Sequence, residues 1–184
     1  MDRLLEHTRR EARYLGDGIV LVDSFLNHQV EPELMGLMGQ LLAQGFEGVD
    51  RVLTAETSGL LPAFAAAQVL GVPMVFARKR RLKNLTDEVL GVDVLSRTAG
   101  ETFRLSVSRR YLPQGQRVLL VDDFLARGNT LVGLLELCRM AGVEVAGLAV
   151  VFEKPFEGGR QQLGGLEVRS LVTIELDGDG VVFR

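Results

Sequence analysis

Short apolar runs alternating with helical patterns constrain this chain more than any other feature. Residues 18–22, 49–55, 73–77, 116–121, 143–152 and 168–176 are brief and apolar, the pattern of strands buried on both faces. Between them, residues 31–46 place Leu34, Leu37, Met38, Leu41 and Leu42 at helical spacing, with Pro32 suited to a first turn. Residues 59–70 are Ala-rich and helical up to Gly71, and 130–141 are helical up to Gly142. A polar helix is expected over 2–14. Strands interleaved with helices predict an α/β fold: a central parallel sheet flanked by helices, as a single domain over 1–184. Such sheets bind ligands beyond the carboxyl ends of their strands. The segments to inspect therefore follow Ala55, Ala77, Val121 and Phe152.

The totals narrow the function. Among 184 residues, 21 basic against 24 acidic side chains leave a net charge of −3, which argues against a dedicated nucleic-acid binder. Cys138 is the single cysteine, so no disulfide can form within one copy and a reducing, cytoplasmic home is expected. His7 and His28 are the two histidines, too few with one Cys for a zinc site of that type. Neither a signal peptide nor an apolar run of about 18 residues is visible, so no membrane partner is expected. G-x-x-x-x-G-K-[ST] is missing, as is G-x-G-x-x-G after a strand; an ATPase or a nicotinamide enzyme would need one of them.

The strongest signal is Val118-Leu-Leu-Val-Asp-Asp-Phe-Leu-Ala-Arg-Gly-Asn-Thr130. A buried strand is expected to end in Asp122 and Asp123. A short loop follows through Ala126, Arg127, Gly128 and Asn129, and a helix starts near Thr130. The first N–H groups of a helix are unpaired and its dipole is positive there, so a Gly-containing loop at that end suits phosphate. The neighbouring carboxylates repel phosphate and suit hydroxyls or a metal ion. Together they describe a ligand carrying both a diol and a phosphate, such as ribose 5-phosphate. Asp-Asp alone could equally cap a strand; the whole pattern is harder to dismiss.

This stretch resembles the signature of the type I phosphoribosyltransferases: four hydrophobic residues, two acids, two hydrophobic residues, then a small-residue loop ending in Thr. The resemblance implies the type I phosphoribosyltransferase fold, with a small hood (about 1–30) and a flexible lid (about 82–110). It also implies a substrate, phosphoribosyl pyrophosphate (PRPP), that brings Mg²⁺ with it, with no metal held by protein ligands alone. Asp122 and Asp123 would hold the ribose hydroxyls and assist catalysis, and Ala126, Arg127, Gly128, Asn129 and Thr130 the 5′-phosphate. Phe124 is bulkier than the usual aliphatic residue.

Two further segments gain meaning from that likeness. Thr57 and Ser58, before Gly59, would form the pyrophosphate loop, although an ordinary N-capping turn reads the same locally. Arg78 and Lys79 begin the densest basic run and suit a departing polyanion; Arg81 and Lys83 read as a solvated face. The lid would exclude water from an oxocarbenium-like ribose, and a plain surface hairpin remains open there.

Val22-Asp-Ser-Phe-Leu-Asn-His-Gln29, Val72-Pro-Met-Val-Phe-Ala-Arg-Lys79 and Glu153-Lys-Pro-Phe-Glu-Gly-Gly-Arg160 resemble the xanthine-using branch of that family in bacterial purine salvage. The likeness carries base contacts onto Val20, Asn27 and Lys154, and implies a homodimer. Lys154 is a donor only, so it suits the O6 carbonyl of an oxopurine and not the amino group of adenine. Hypoxanthine or guanine as the base stays open, as does a non-catalytic PRPP-sensing regulator. Such regulators usually carry a DNA-binding extension, and only about 15 residues precede the first expected strand.

Overall fold

In the computed structural model, residues 1–79, 88–95 and 102–184 are described. Arg81, Lys83 and the parts of the expected lid at 82–87 and 96–101 lie outside them. Among the described residues the central sheet has six strands. They are β3 (Arg51–Ala55), β4 (Met74–Ala77), β7 (Arg117–Leu125), β8 (Glu144–Glu153), β9 (Val168–Asp177) and β10 (Gly180–Phe183). The spatial order is β10-β9-β8-β7-β3-β4, parallel except for β10, which turns back along β9. Parallel neighbours need crossover connections; the helix over Leu60–Leu70 carries β3 to β4 and that over Asn129–Ala141 carries β7 to β8.

Each face of the sheet has its own core, because successive side chains of a strand point to opposite sides. Leu119 and Val121 of β7 face α1 (Asp2–Glu11), α2 (Pro32–Ala43) and α3 (Leu60–Leu70), meeting Leu4, Leu34, Met38, Leu42 and Ala66. Val118 and Leu120 face α4 (Asn129–Ala141), with Leu131, Leu134 and Leu137. That side also carries the antiparallel hairpin of β5 (Val89–Leu95) and β6 (Thr102–Ser108), whose Val94 and Leu105 pack on α4. The described part of the expected lid is thus a hairpin with a buried apolar face, joined to the sheet by a bridge between Arg78 and Ser106.

Two expectations need correction. The run at 18–22 lies outside the central sheet: β2 (Ile19–Leu21) pairs antiparallel with β1 (Arg13–Gly16), and α1 stops at Glu11. Asp17-Gly18 forms the turn, with φ of 50° and 75°, and Asp-Gly is a strong hairpin turn signal. Asp122 and Asp123 do not end their strand either. β7 runs on to Leu125, which pairs with Glu153 of β8, and the acid pair sits inside the ladder.

Candidate active site

The carboxyl ends of β7 and β8 open into a cavity of about 630 Å³, walled by the β1–β2 hairpin, the 126–131 segment, Lys79, and the ends of β5 and β6 at Leu95 and Phe103. Ala126, Arg127, Gly128, Asn129 and Thr130 all line it, as do Asp122, Val20 and Lys154. Gly128 is the N-cap of α4 in the left-handed region, and no side chain caps the helix. The first-turn N–H groups of α4 are therefore left for an anion. Asn129 ties this loop to the hairpin, donating from Nδ2 to the Leu95 carbonyl at 2.9 Å.

The two acids have different surroundings. Asp122 lines the cavity, and its Oδ1 accepts from the Asp123 N–H at 3.0 Å. Burial first, then the adjacent Asp123 charge, pushes the Asp122 carboxyl well above the usual carboxylate range. Asp123 accepts from Ser58 Oγ and from Asn27 Nδ2, each at 3.0 Å. The N-terminal segment is thereby tied to the acid pair, and among the described residues the Asn27 amide oxygen has no hydrogen-bond partner. Ser58 belongs to the turn after β3, where the Glu56–Thr57 peptide is cis. A side chain at Gly59 would collide with Thr54 Oγ1 and Asp122 Oδ1, so that turn lies directly on the acid pair. Thr57 is exposed beside it.

Lys79 and Arg78 part company. Lys79 lines the cavity, its backbone N–H donating to Glu56 Oε1 at 2.7 Å. Arg78 forms an ion pair with Glu56 Oε2 at 2.7 Å, lies over the Phe76 ring, and lines a separate groove with Met74 and Tyr111.

Lys154 follows β8, with its side chain 12% exposed. Nζ donates to the Gly18 carbonyl at 2.8 Å and sits 5.1 Å from the centre of the Phe124 ring. Burial lowers its pKa, opposed by the charges of Glu157 and Asp123. Phe124 stacks on Phe152 with ring centres 4.9 Å apart, giving the cavity an aromatic surface beside a cation. Sequence reasoning passed over Phe124 as a departure from pattern; an aromatic residue directly after the acid pair was the available signal. It also missed Glu157, which lines the cavity and pairs with Arg127 at 3.2 Å, and the hairpin residues Asp17 and Gly18. Cys138 is buried on α4, and burial pushes its thiol up to about 12, which leaves no thiolate for nucleophilic work. Among the described residues, no group of three or more His, Cys, Asp or Glu gathers as metal ligands would, and no helix is long and apolar enough to cross a membrane.

An adjacent acid pair beside an uncapped, Gly-containing helix start, at the carboxyl edge of this sheet, points to a class. The chain belongs to the phosphoribosyl transferase family, whose domain model matches residues 22–175. Its relatives include a xanthine phosphoribosyltransferase of Exiguobacterium sp., 44% identical over 100% of this chain and 97% of that protein. Another, from Geobacillus thermodenitrificans, is 45% identical over 99% of this chain and 96% of that protein. Among solved structures, the adenine phosphoribosyltransferase of Thermoanaerobacter pseudethanolicus superposes with a TM-score of 0.76 at 26% identity, covering 92% of this chain and 99% of that one. The adenine phosphoribosyltransferase of Rhodothermus marinus gives 0.77 at 25% identity, covering 96% and 100%.

Proposed function

We propose that the chain transfers the 5-phosphoribosyl group of PRPP to xanthine, giving xanthosine 5′-monophosphate and pyrophosphate in purine salvage. The carrying observation is Lys154, a donor-only cation held at the wall of the cavity that Asp122 also lines. Adenine presents an amino group at position 6, and a donor cannot bond a donor. Xanthine presents a carbonyl there, and a cation beside it favours the acidic base as its anion. Asn27 reads a second edge through its free amide oxygen, and Val20 and Phe124 supply apolar surface.

The 5′-phosphate lies against 126–130 and the start of α4. Asp122 and Asp123 hold the ribose hydroxyls and stabilise the positive charge that develops at C1′ as the bond to pyrophosphate breaks and the bond to N9 forms. Thr57 and Ser58 in the turn on the acid pair, and Lys79 at the cavity wall, flank the departing pyrophosphate, while Arg78, paired with Glu56 in a separate groove, steadies that turn. The acid pair, with few other ligands nearby, fits a Mg²⁺ that arrives on PRPP and supplies charge neutralisation to the leaving group. We propose the 82–110 segment as the lid, since its described strands β5 and β6 reach the cavity wall at Leu95 and Phe103. We also place the enzyme in the cytoplasm, on its lone buried cysteine, and expect a homodimer. Exposed Leu61 and Phe64 on α3 and Phe76 on β4 give such a dimer an apolar face, and a monomer by sedimentation at micromolar concentration would remove that part.

The test is a PRPP-dependent assay over xanthine, guanine, hypoxanthine, adenine and orotate, with Lys154→Ala alongside. Loss of one charge-assisted hydrogen bond costs roughly 1.5–3 kcal/mol, on the order of 10- to 100-fold in kcat/KM. The loss should fall on all three oxopurines, while Asn27→Ala should reorder them. PRPP affinity measured without base should stay at the wild-type value in Lys154→Ala, whereas Asn27→Ala also removes a donor to Asp123 and should weaken PRPP binding modestly. A wild-type preference for adenine or orotate would sink the proposal.

A further inference from the structure

Lys154 lies inside the 153–160 stretch, whose two ends, Glu153 and Arg160, stand outside the cavity wall. Glu153 closes β8 and is 4% exposed. Its Oε1 accepts from Arg160 Nε at 2.7 Å, and its Oε2 accepts from an Arg160 terminal nitrogen and from Ser170 Oγ of β9. Arg160 donates further to the Val168 carbonyl and to Ser170 Oγ, both at 3.2 Å. Burial works to raise the Glu153 pKa, yet the hydrogen bonds from Arg160 and Ser170 outweigh it and hold the carboxyl below its ordinary range.

The segment between these partners lies on the phosphate loop. The Lys154 N–H donates to the Leu125 carbonyl at 2.9 Å, and the Gly159 N–H donates to the Ala126 carbonyl at 3.0 Å. A Cβ on Gly159 would collide with the Ala126 carbonyl and the Arg127 backbone. Arg127 and Glu157 add an ion pair between the two loops. Lys154 and the 126–130 loop are therefore parts of one assembly, and the Glu153–Arg160 pair closes its foot like a clasp.

We propose that Arg160, acting through Glu153, is a positioning residue for both substrates: it seats the Lys154 segment on the 126–130 loop. The proposal rests on the reading of Lys154 and that loop given above. A forked guanidinium can meet both oxygens of one carboxylate at once, and an ammonium cannot. Displacement of about 1 Å at such a site is enough to cost activity heavily.

The experiment uses the full chain with Arg160→Lys and Glu153→Gln, each checked as folded at the assay temperature. The expected result is a rise of about ten-fold in KM for both PRPP and xanthine, with guanine and hypoxanthine affected to the same degree as xanthine. A merely structural role would lower Tm and leave both KM values at wild type per folded molecule. If Arg160→Lys fails to fold, Glu153→Gln, which keeps the volume and a hydrogen-bonding amide, carries the same test. Lys154→Ala separates the two ideas. Loss of xanthine use there, with wild-type kinetics in the folded clasp variants, overturns the clasp alone. Intact xanthine use in Lys154→Ala overturns the base-site reading beneath it.

Discussion

Asp122 is buried, and both burial and the neighbouring Asp123 act against its charged form. Its folded pKa lies above the unfolded one, so between those values the native state holds the extra proton. Stability then falls as pH rises through that window and is regained as pH drops to the ordinary carboxylate range. Asn cannot ionise, and its Oδ1 can still accept from the residue 123 N–H. Asp122→Asn is therefore expected to raise Tm at neutral pH, with the advantage shrinking toward acid, while Asp122→Asn with Asp123→Asn lowers transfer activity by about 100-fold or more. Thermal melts across pH decide the first point; an Asp122→Asn variant that melts in parallel with wild type at every pH would refute it. Near-wild-type turnover in the folded double variant would refute the second. Single residues were legible in the sequence where their chemistry sat within a few positions, as in 122–130. The bond from Asn27 to Asp123 joins residues 96 apart, and no local pattern encodes it.

The element that matters most is the β7–loop–α4 unit. Its strand, its loop and its helix start were all readable, because apolar run, acid pair, Gly and helical spacing follow one another without interruption. The β1–β2 hairpin was not read, since a polar helix pattern ran through Arg13 and Tyr14 and hid the Asp-Gly turn behind it. The lengths were misjudged where pairing, a nonlocal property, decides the strand end: β8 carries β7 on to Leu125. Gly128 tests the unit. Its φ is 78°, and a Cβ there would stand 3.1 Å from the Gly159 carbonyl. Gly128→Val thus strains the backbone, pushes on the Lys154 segment and would obstruct the phosphate cradle proposed above. A destabilisation of about 1 kcal/mol or more is expected. The KM for PRPP should rise strongly and the KM for xanthine along with it. Steady-state kinetics with each substrate varied in turn decide the matter; an unchanged KM for PRPP would mean that the phosphate binds elsewhere.

For the whole molecule, the question is whether two cores on opposite faces of one sheet behave as one cooperative unit. α1, α2 and α3 cover one face, and α4 with the β5–β6 hairpin covers the other. The sheet is common to both, and the site stands at its carboxyl edge, built from elements of both layers: Asn27 and Ser58 from one side, the 126–130 loop and Leu95 from the other. Alternation along β7 offers a direct probe. Leu119 and Leu120 are adjacent and both fully buried, yet each belongs to a different core. Replacing either with Ala removes buried methyl groups and leaves a cavity, which costs about 2–5 kcal/mol. Because the strand is shared, both variants are expected to lose stability in that range and to unfold in a single transition with an unchanged denaturant slope. The measurement is urea unfolding followed by two probes, far-ultraviolet circular dichroism and tyrosine fluorescence. A near-neutral Leu119→Ala beside a severe Leu120→Ala, or the reverse, would mean that one face is not a packed core. Separate transitions for the two probes would mean that the layers fold independently, and the acid pair could then no longer be treated as fixed by both.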